Sequence, residues 1–261
     1  MNFGSENVSI FVRSQEGFRL EQVIPAVSSP LSVAFGHGHL YVLGSTTIES
    51  HQVFDLGVSP GIDGKAALLH ADGSAAQVGV LYHQLIISEK SNAIETVNLA
   101  SDGAVDGSAT LVGNIPSNVN APFGLVTRDN EAYVTIAHAN EISLVRNDTV
   151  VTVTGSGTQS APCWVTLDGP YLFSANSPSK SVSRYLVYGT QIVQAEAVAA
   201  SFNGNPTDIT YTNGLLGVID GAGAVSHLSI FIVDGDGNLS LQAVSTINSA
   251  ANGVAIVPTE D

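Results

Sequence analysis

The feature that most constrains the fold of this chain is a short motif that occurs six times along it. In each copy a small or polar lead-in precedes Pro or Ala, and two variable residues and an aliphatic one follow. The copies are SSPLSVAF (28–35), GSAAQVGV (73–80), NAPFGLVT (120–127), SAPCWVTL (160–167), GNPTDITY (204–211) and SAANGVAI (249–256). The Pro or Ala residues, called anchors below, are spaced 40 to 47 residues apart: Pro30, Ala75, Pro122, Pro162, Pro206 and Ala251. A period of this length indicates a series of similar structural units.

The sequence between the anchors is typical of β-strands. Roughly a dozen residues after an anchor come an apolar strand, a small polar turn and another strand, as in AYVTIAHANEISLV (132–145). Apolar and polar residues alternate, Gly, Asn, Asp and Ser fill the turns, and no long segment keeps a helical period. Units of this length with about four short strands each are the signature of a β-propeller. The sequence therefore predicts an all-β propeller with four-stranded antiparallel blades.

The two ends of the chain together complete one more unit. NVSIFVRSQEG (7–17) resembles HLSIFIVDGDG (227–237), and the sequence after the last anchor is long enough for one innermost strand only. We therefore predict a single six-bladed propeller domain over residues 1–261, closed by strands from both termini, which removes exposed sheet edges. A β-sandwich or a solenoid would not explain this circular completion. A shortened relative of a seven-bladed propeller would explain it, and that alternative stays open.

Charge and composition exclude several classes of partner. With 23 acidic residues against 8 Lys and Arg, the net charge is −15, which disfavours both nucleic acids and anionic membranes. No apolar run approaches the length of a membrane span, and the first residues lack the features of a secretory signal. The single cysteine, Cys163, excludes an intrachain disulfide. Three N-glycosylation acceptor sequences slightly favour a mature secreted form over a cytoplasmic protein.

Three segments carry a resemblance to a known family. APFGLVTRDNEAYVT (121–135), SAPCWVTLDGPYLFSANSPSKSVSRYLV (160–187) and GNPTDITYTNGLLGVIDG (204–221) resemble the lactonase-like, or YVTN-type, β-propellers of bacteria and fungi. That family includes 6-phosphogluconolactonase-like and carboxymuconate-cyclase-like proteins, and its members commonly have seven blades. The resemblance implies a Pro-His-x-His type motif at the start of an inner strand in catalytic members. The anchors of this chain read APFG, APCW and NPTD, without His, so the resemblance does not carry catalytic residues over.

We predict a ligand site on the face where a propeller's inner strands begin. The connections from strand 4 to strand 1 and from strand 2 to strand 3 meet at this channel mouth. The residues that these positions supply are Glu89, Lys90, Phe123, His138, Cys163, Trp164, Asn176, Asp208 and Asp220. Aromatic surface beside a few polar groups is the mixture expected of a pocket. The leading hypothesis is a propeller that binds a small molecule or a protein partner there, without an evident catalytic motif.

Two other functions stay open at this point. A lactonase-like or cyclase-like enzyme would use acid–base residues relocated to Glu89, His138, Asp208 and Asp220. A glycan-binding propeller ranks lowest, because repeated lectin sites would reuse an aromatic residue and Trp164 has no equivalents.

Single residues of the predicted site each allow two roles. Cys163 is a nucleophile only if a base such as His138 lies beside it, and otherwise it is a small buried side chain. Trp164 is either an aromatic wall or part of the packing between blades. Asp208 and Asp220 either share a proton or a cation, or each bond turn amides. No cofactor and no metal are predicted, because no set of ligands has suitable spacing.

Overall fold

The computed structural model describes residues 1–15, 17–55, 57–115, 121–221 and 223–257. Regular structure in these residues is β-strand, apart from the two 3-10 turns Phe3–Ser5 and Ala137–Ala139. Neither of these turns is long enough to cross a membrane, and no other helix is present in the described part of the chain. The chain forms two compact units, of which the first contains Met1–Ile115, Thr127–Ala132 and Asn147–Thr149 and the second contains the remainder.

The first unit contains a hairpin and two blades. The hairpin pairs β1 (Asn7–Ser14) with β2 (Gly17–Pro25). Blade 1 consists of β3 (Pro30–Gly36), β4 (His39–Gly44), β5 (Thr47–Phe54), β6 (Gly57–Val58) and β7 (Gly64–Ala67), and the last two both pair with β5. Blade 2 consists of β8 (Ala75–Val80), β9 (Gln84–Glu89), β10 (Ala93–Asn98) and β11 (Thr110–Leu111).

The second unit contains three blades, except that two short segments of blade 3, Thr127–Ala132 and Asn147–Thr149, belong to the first unit. Blade 3 consists of β12 (Pro122–Arg128), β13 (Glu131–Ile136), β14 (Glu141–Arg146) and β15 (Thr149–Gly155). Blade 4 consists of β16 (Pro162–Asp168), β17 (Tyr171–Asn176), β18 (Ser181–Tyr188) and β19 (Gln191–Ser201). Blade 5 consists of β20 (Asn205–Thr212), β21 (Leu215–Gly221), β22 (Val225–Val233) and β23 (Leu239–Asn248).

Hydrophobic cores lie between neighbouring blades of one unit. In the first unit Tyr41 and Leu43 of blade 1 pack with Leu85 and Ile87 of blade 2. In the second unit Phe173 and Val182 of blade 4 pack in the same way with apolar side chains of blade 5. The second strand of a blade is covered on both faces, which explains why these strands are nearly continuous apolar runs in the sequence.

A β-bulge directly follows the anchor in four blades, where two residues lie opposite one on the second strand. The register shifts between Pro30 and Ser32, between Ala75 and Gln77, between Pro162 and Trp164, and between Pro206 and Asp208. Such a bulge leaves a backbone N–H without its ladder partner. In blade 2 the N–H of Gln77 donates to the Ser88 hydroxyl instead, at 3.2 Å.

The bulge also directs the second residue after the anchor toward the segment that follows the next anchor in the chain. The Ser32 hydroxyl accepts a hydrogen bond from the N–H of Val78, the third residue after the anchor of blade 2, at 3.3 Å. Asp208 makes the same connection to Val254, the third residue after the last anchor, at 2.7 Å. Val254 also packs beside Gly217 of β21. Residues 251–257 therefore lie against blade 5 as the first strand of blade 2 lies against blade 1.

The prediction of six four-stranded blades is wrong, because the described residues form four four-stranded sheets, one five-stranded sheet and one two-stranded hairpin. Within the described part of the chain, residues 251–257 have no strand pairing, and β1 and β2 pair only with each other. Gly253 adopts φ 146°, which lies outside the extended conformation of a β-strand and interrupts the segment after the last anchor.

Removing the Asp208 acceptor should release residues 251–257 from blade 5. A hydrogen bond to a charged group typically contributes about 1.5–3 kcal/mol. We expect Asp208→Ala to destabilise this attachment by an amount of that order and to increase hydrogen exchange at Val254 at least tenfold. Asp208→Asn is the matched control, because it keeps an acceptor oxygen, and it should leave exchange near the wild-type rate. Equal exchange in Asp208→Ala and the wild type would show that the bond does not hold the segment.

Candidate functional site

The nine residues of the predicted ligand site are divided between the two units. Glu89 and Lys90 belong to the first unit. The second unit contains the other seven, which are Phe123, His138, Cys163, Trp164, Asn176, Asp208 and Asp220.

Glu89 is a wholly buried carboxyl group at the end of β9. Its Oε2 accepts a hydrogen bond from the Ser74 hydroxyl at 2.9 Å, while Oε1 has no hydrogen-bond partner among the described residues. Burial raises the pKa of Glu89 to about 7 against the lowering effect of Ser74, and the nearby carboxylates of Glu95 and Asp72 raise it further. Lys90, the next residue, is exposed and donates its backbone N–H to the carbonyl of Ser74.

Glu89, Asn176 and Asp220 occupy one equivalent position in three blades, opposite the anchor on the second strand. Asn176 is buried, and its amide donates to the hydroxyls of Ser181 at 3.1 Å and Ser183 at 2.8 Å. All of these partners lie within blade 4. The hydrogen bonds therefore fit a side chain that holds its own blade together.

Phe123 and Trp164 form an edge-to-face pair with ring centroids 4.8 Å apart. Both side chains are half-buried, and Trp164 also packs against the core between blades 4 and 5. Gly124 makes the close approach possible, since a Cβ atom there would lie 2.4 Å from the Cys163 carbonyl oxygen. Trp164 is thus part of the packing between blades and also presents some ring surface to solvent.

Cys163 is not activated in this structure. Burial raises the pKa of the Cys163 thiol, and a hydrogen bond from the backbone of Ser177 only partly offsets this effect. His138 lies exposed in the 3-10 turn after β13, and no hydrogen bond or ion pair between described residues joins it to Cys163. The contacts of Cys163 fit a small packed side chain.

Asp208 and Asp220 bond different parts of the backbone. Asp208 accepts hydrogen bonds from the N–H groups of Ile209 and Val254, and burial raises the pKa of its carboxyl group. Asp220 accepts a hydrogen bond from the N–H of Gly204 at 2.9 Å. These bonds match the alternative in which each carboxylate satisfies backbone amides.

Asp220 borders a pocket of about 490 Å³ in the second unit. The pocket lies between the end of blade 4 and the two outer strands of blade 5. Its lining is Ala199, Ala200, Ser201, Phe202, Asn203, Asp220, His227, Ser229, Phe231, Leu239, Leu241 and Val244. A volume of this size is within the range of small-molecule sites.

The pocket has a polar end and an apolar wall. At the polar end the Nδ1 atom of His227 lies 3.6 Å from Oδ2 of Asp220. The wall contains the edge-to-face pair Phe202 and Phe231, whose centroids are 6.1 Å apart, and the exposed side chains of Leu241 and Val244. None of the described lining residues is Lys or Arg. The pocket therefore offers apolar surface together with a carboxylate and an imidazole.

Sequence reasoning identified Asp220 but missed the other residues of this pocket. A signal existed for His227, because it faces Asp220 across the β21–β22 hairpin and Ser229 follows two residues later on the same face. Phe202 gave no signal, since it comes from the connection between blades 4 and 5.

No group of three or more His, Cys, Asp or Glu side chains among the described residues could hold a metal ion. Both ring nitrogens of His39, for example, bond other protein groups. Its Nε2 atom lies 2.9 Å from the Asp63 carboxylate, and its Nδ1 atom lies 2.8 Å from the carbonyl oxygen of His37.

These blades and their connections define a β-propeller fold, and comparison with solved structures supports it. A proposed 6-phosphogluconolactonase from Bacteroides uniformis superposes with a TM-score of 0.78 at 16% identity, covering 98% of this chain and 83% of its own. A second, from Bacteroides fragilis, has a TM-score of 0.75 at 13% identity, with 97% and 82% covered. A streptogramin B lyase has a TM-score of 0.70 at 15% identity, with 96% and 80% covered. No protein-family profile and no curated protein sequence matches the chain.

Proposed function

We propose that this propeller binds a small organic molecule in the pocket of the second unit, beside Asp220 and His227. The observation that carries the proposal is the convergence of two polar groups and an apolar wall on one cavity of about 490 Å³. Of the nine site residues predicted from the sequence, Asp220 lines this pocket; the other lining residues come from the end of β19, from the connection after it, and from β22 and β23. A protein partner is the other occupant that the sequence predicts.

The charge of the pocket selects the ligand class. A carboxylate at the polar end, the absence of Lys and Arg from the described lining, and a net charge of −15 all disfavour an anion. Phe202, Phe231 and Val244 offer contacts to an apolar group. We therefore assign the pocket to a neutral or cationic molecule with an apolar part.

An acid–base enzyme is the second candidate. Fold neighbours include proposed 6-phosphogluconolactonases and a lyase, and one observation in this chain favours such chemistry. The pKa of Glu89, about 7, would suit a group that gives and takes a proton near neutral pH. Glu89 is wholly buried, however, so a substrate would reach it only after a rearrangement of Ser74 and its neighbours. This candidate therefore ranks below ligand binding in the open pocket.

Binding can be tested with three probes that share one ring and differ in charge: benzyl alcohol, benzylamine and benzoate. We expect saturation-transfer NMR to show binding of the alcohol and the amine and at least tenfold weaker binding of benzoate. Val244→Trp should abolish binding, because the indole would fill the pocket from an exposed position on β23.

Val153→Trp is the matched control, since Val153 is an exposed valine on the outer strand of blade 3. It should bind the probes as the wild type does. Binding that survives in Val244→Trp, or no binding of any of the three probes, would refute the proposed site.

A further inference from the structure

The arrangement of Asp220 and His227 differs from that of an ordinary surface ion pair. The Asp220 side chain is 4% exposed, whereas the His227 side chain is 27% exposed and lines the pocket. In catalytic sites that use an imidazole as the general base, a buried carboxylate commonly lies beside the imidazole and fixes its orientation. We infer that His227, oriented by Asp220, acts as the general base in the hydrolysis of an uncharged, open-chain carboxylic ester bound in the pocket. The inference rests on the proposed function, because it needs a ligand in the same cavity.

The blade fixes the spacing of the pair. Asp220 and His227 are directly opposite residues in the antiparallel ladder between β21 and β22, so their side chains emerge on one face of the sheet. Asp220 is held from behind by the N–H of Gly204 at 2.9 Å. Nδ1 of His227 lies 3.6 Å from Oδ2 of Asp220, just beyond hydrogen-bond distance, so a small rotation of the imidazole would let Nδ1–H donate to the carboxylate and leave Nε2 to accept a proton.

Ser229 supplies a hydrogen-bond donor to the same cavity. It lies two residues after His227 on the same face of β22 and lines the pocket. Its hydroxyl makes no hydrogen bond with another described residue, so it can donate to a ligand. A donor at this place would stabilise negative charge that develops on the carbonyl oxygen of an ester.

The reaction needs only the ester and one water molecule. His227 Nε2 takes a proton from water while the water oxygen forms a bond to the carbonyl carbon and the carbonyl electron pair moves to oxygen. When that pair returns, the bond between the carbonyl carbon and the alkoxy oxygen breaks, and the alkoxide takes the proton from the imidazolium. The products are one carboxylic acid and one alcohol, and His227 is restored.

The substrate class follows from the walls of the pocket. Phe202, Phe231 and Leu241 would contact an apolar acyl or alkyl group. The carboxylate of Asp220 and the absence of Lys and Arg from the described lining exclude substrates whose binding depends on a phosphate or carboxylate. The inference therefore concerns neutral linear esters and does not extend to sugar-phosphate lactones.

The test is hydrolysis of p-nitrophenyl butyrate by the full chain, followed through release of p-nitrophenol. We expect His227→Ala to lower kcat/KM at least a hundredfold. His83→Ala is the matched control, because His83 is an exposed histidine of the first unit and lies outside the proposed site, and it should retain the wild-type rate. Equal rates in the wild type and His227→Ala would overturn the inference.

A second variant tests the positioning role of Asp220. Asp220→Asn keeps an acceptor for the N–H of Gly204 but weakens the hold on the imidazole. We expect kcat to fall at least tenfold while KM changes less than twofold, whereas a merely structural role would lower the folded fraction and leave kcat per folded molecule unchanged. A binding measurement distinguishes failure of the proposed general base from failure of the proposed ligand site. Benzyl alcohol that binds without ester hydrolysis would overturn the general base alone, and failure of both would also overturn the proposed site.

Discussion

Replacing Glu89 with Gln should raise the free energy of unfolding by about 3 kcal/mol at pH 8 and leave it unchanged at pH 4. This carboxyl group is wholly buried in the folded protein and its Oε1 has no partner among the residues that the structure describes; burial raises its pKa to about 7 from the ordinary 4.5. A difference of this size corresponds to about 3 kcal/mol, since each pKa unit is worth about 1.4 kcal/mol.

The direction of the pH dependence follows from which state binds the proton more tightly. Below the ordinary pKa of 4.5 Glu89 is protonated in both the folded and unfolded chains, so its ionisation does not lower the free energy of unfolding there. Between pH 4.5 and 7 the unfolded chain loses the proton while the folded chain keeps it, and stability falls as pH rises. Gln has no proton to lose, so the gap between variant and wild type should widen over this range and then stay constant.

Glu95→Gln is a matched control for which we expect a change in stability of the opposite sign. It is equally buried and lies on the neighbouring strand, but its carboxylate oxygens accept hydrogen bonds from the N–H groups of Leu69 and His70. Glu95→Gln should therefore destabilise the protein at neutral pH. Chemical denaturation at several pH values would decide the matter. A Glu89→Gln variant that is less stable than wild type at pH 8, as Glu95→Gln is, would show that Glu89 is ionised and satisfied in the fold.

Gly124→Ala should destabilise the second unit by about 2–3 kcal/mol, near the upper end of the cost of overpacking. A Cβ atom at Gly124 would lie 2.4 Å from the Cys163 carbonyl oxygen and 2.8 Å from the Trp164 Cα atom. Both are backbone atoms of the next blade and cannot rotate away. The strands β12 and β16 would have to separate, which would also disturb the contact between Phe123 and Trp164.

Gly235→Ala is the control for this variant, because Gly235 lies in an exposed turn and a Cβ there would meet no atom within 4 Å. It should change stability by less than about 0.5 kcal/mol. Thermal unfolding monitored by the fluorescence of Trp164, the single tryptophan, reports directly on the affected strands. A Gly124→Ala variant with the melting temperature of Gly235→Ala would show that β16 can move without cost.

The strand positions could be predicted from the sequence because each blade repeats the same local pattern. Pro30, Ala75, Pro122 and Pro162 are the first residues of β3, β8, β12 and β16, as the anchor motif indicates. The motif combines a turn, a rigid or small residue and an alternating apolar strand, and all of these act within about ten residues. The four-stranded blades follow from the repeat length.

The sixth blade could not be predicted correctly, because it depends on hydrogen bonds between distant segments. The repeat places Val254 beside blade 5, and the bond from its N–H to Asp208 agrees with that position. Strand pairing is a further requirement that the pattern does not specify. Gly253 departs from an extended conformation, and residues 251–257 join no sheet formed by the described residues.

The candidate site was predicted only in part for a similar reason. Asp220 was found because it follows a second strand, a position that the repeat defines. Phe202, Ser229 and Leu241 reach the same pocket from separate elements, and their convergence depends on how blade 4 packs against blade 5. The burial of Glu89 likewise depends on the loop that carries Ser74, which lies 15 residues earlier in the chain.

A crystal structure of the protein soaked with benzyl alcohol would test the central claim most directly. We expect electron density for the ring between Phe202 and Val244, with the hydroxyl group within hydrogen-bond distance of His227 or Asp220. The same soak of Val244→Trp should show the indole in that place and no ligand. A ring bound elsewhere, or a pocket that holds only water in the wild-type crystal, would contradict the claim that this cavity is the ligand site.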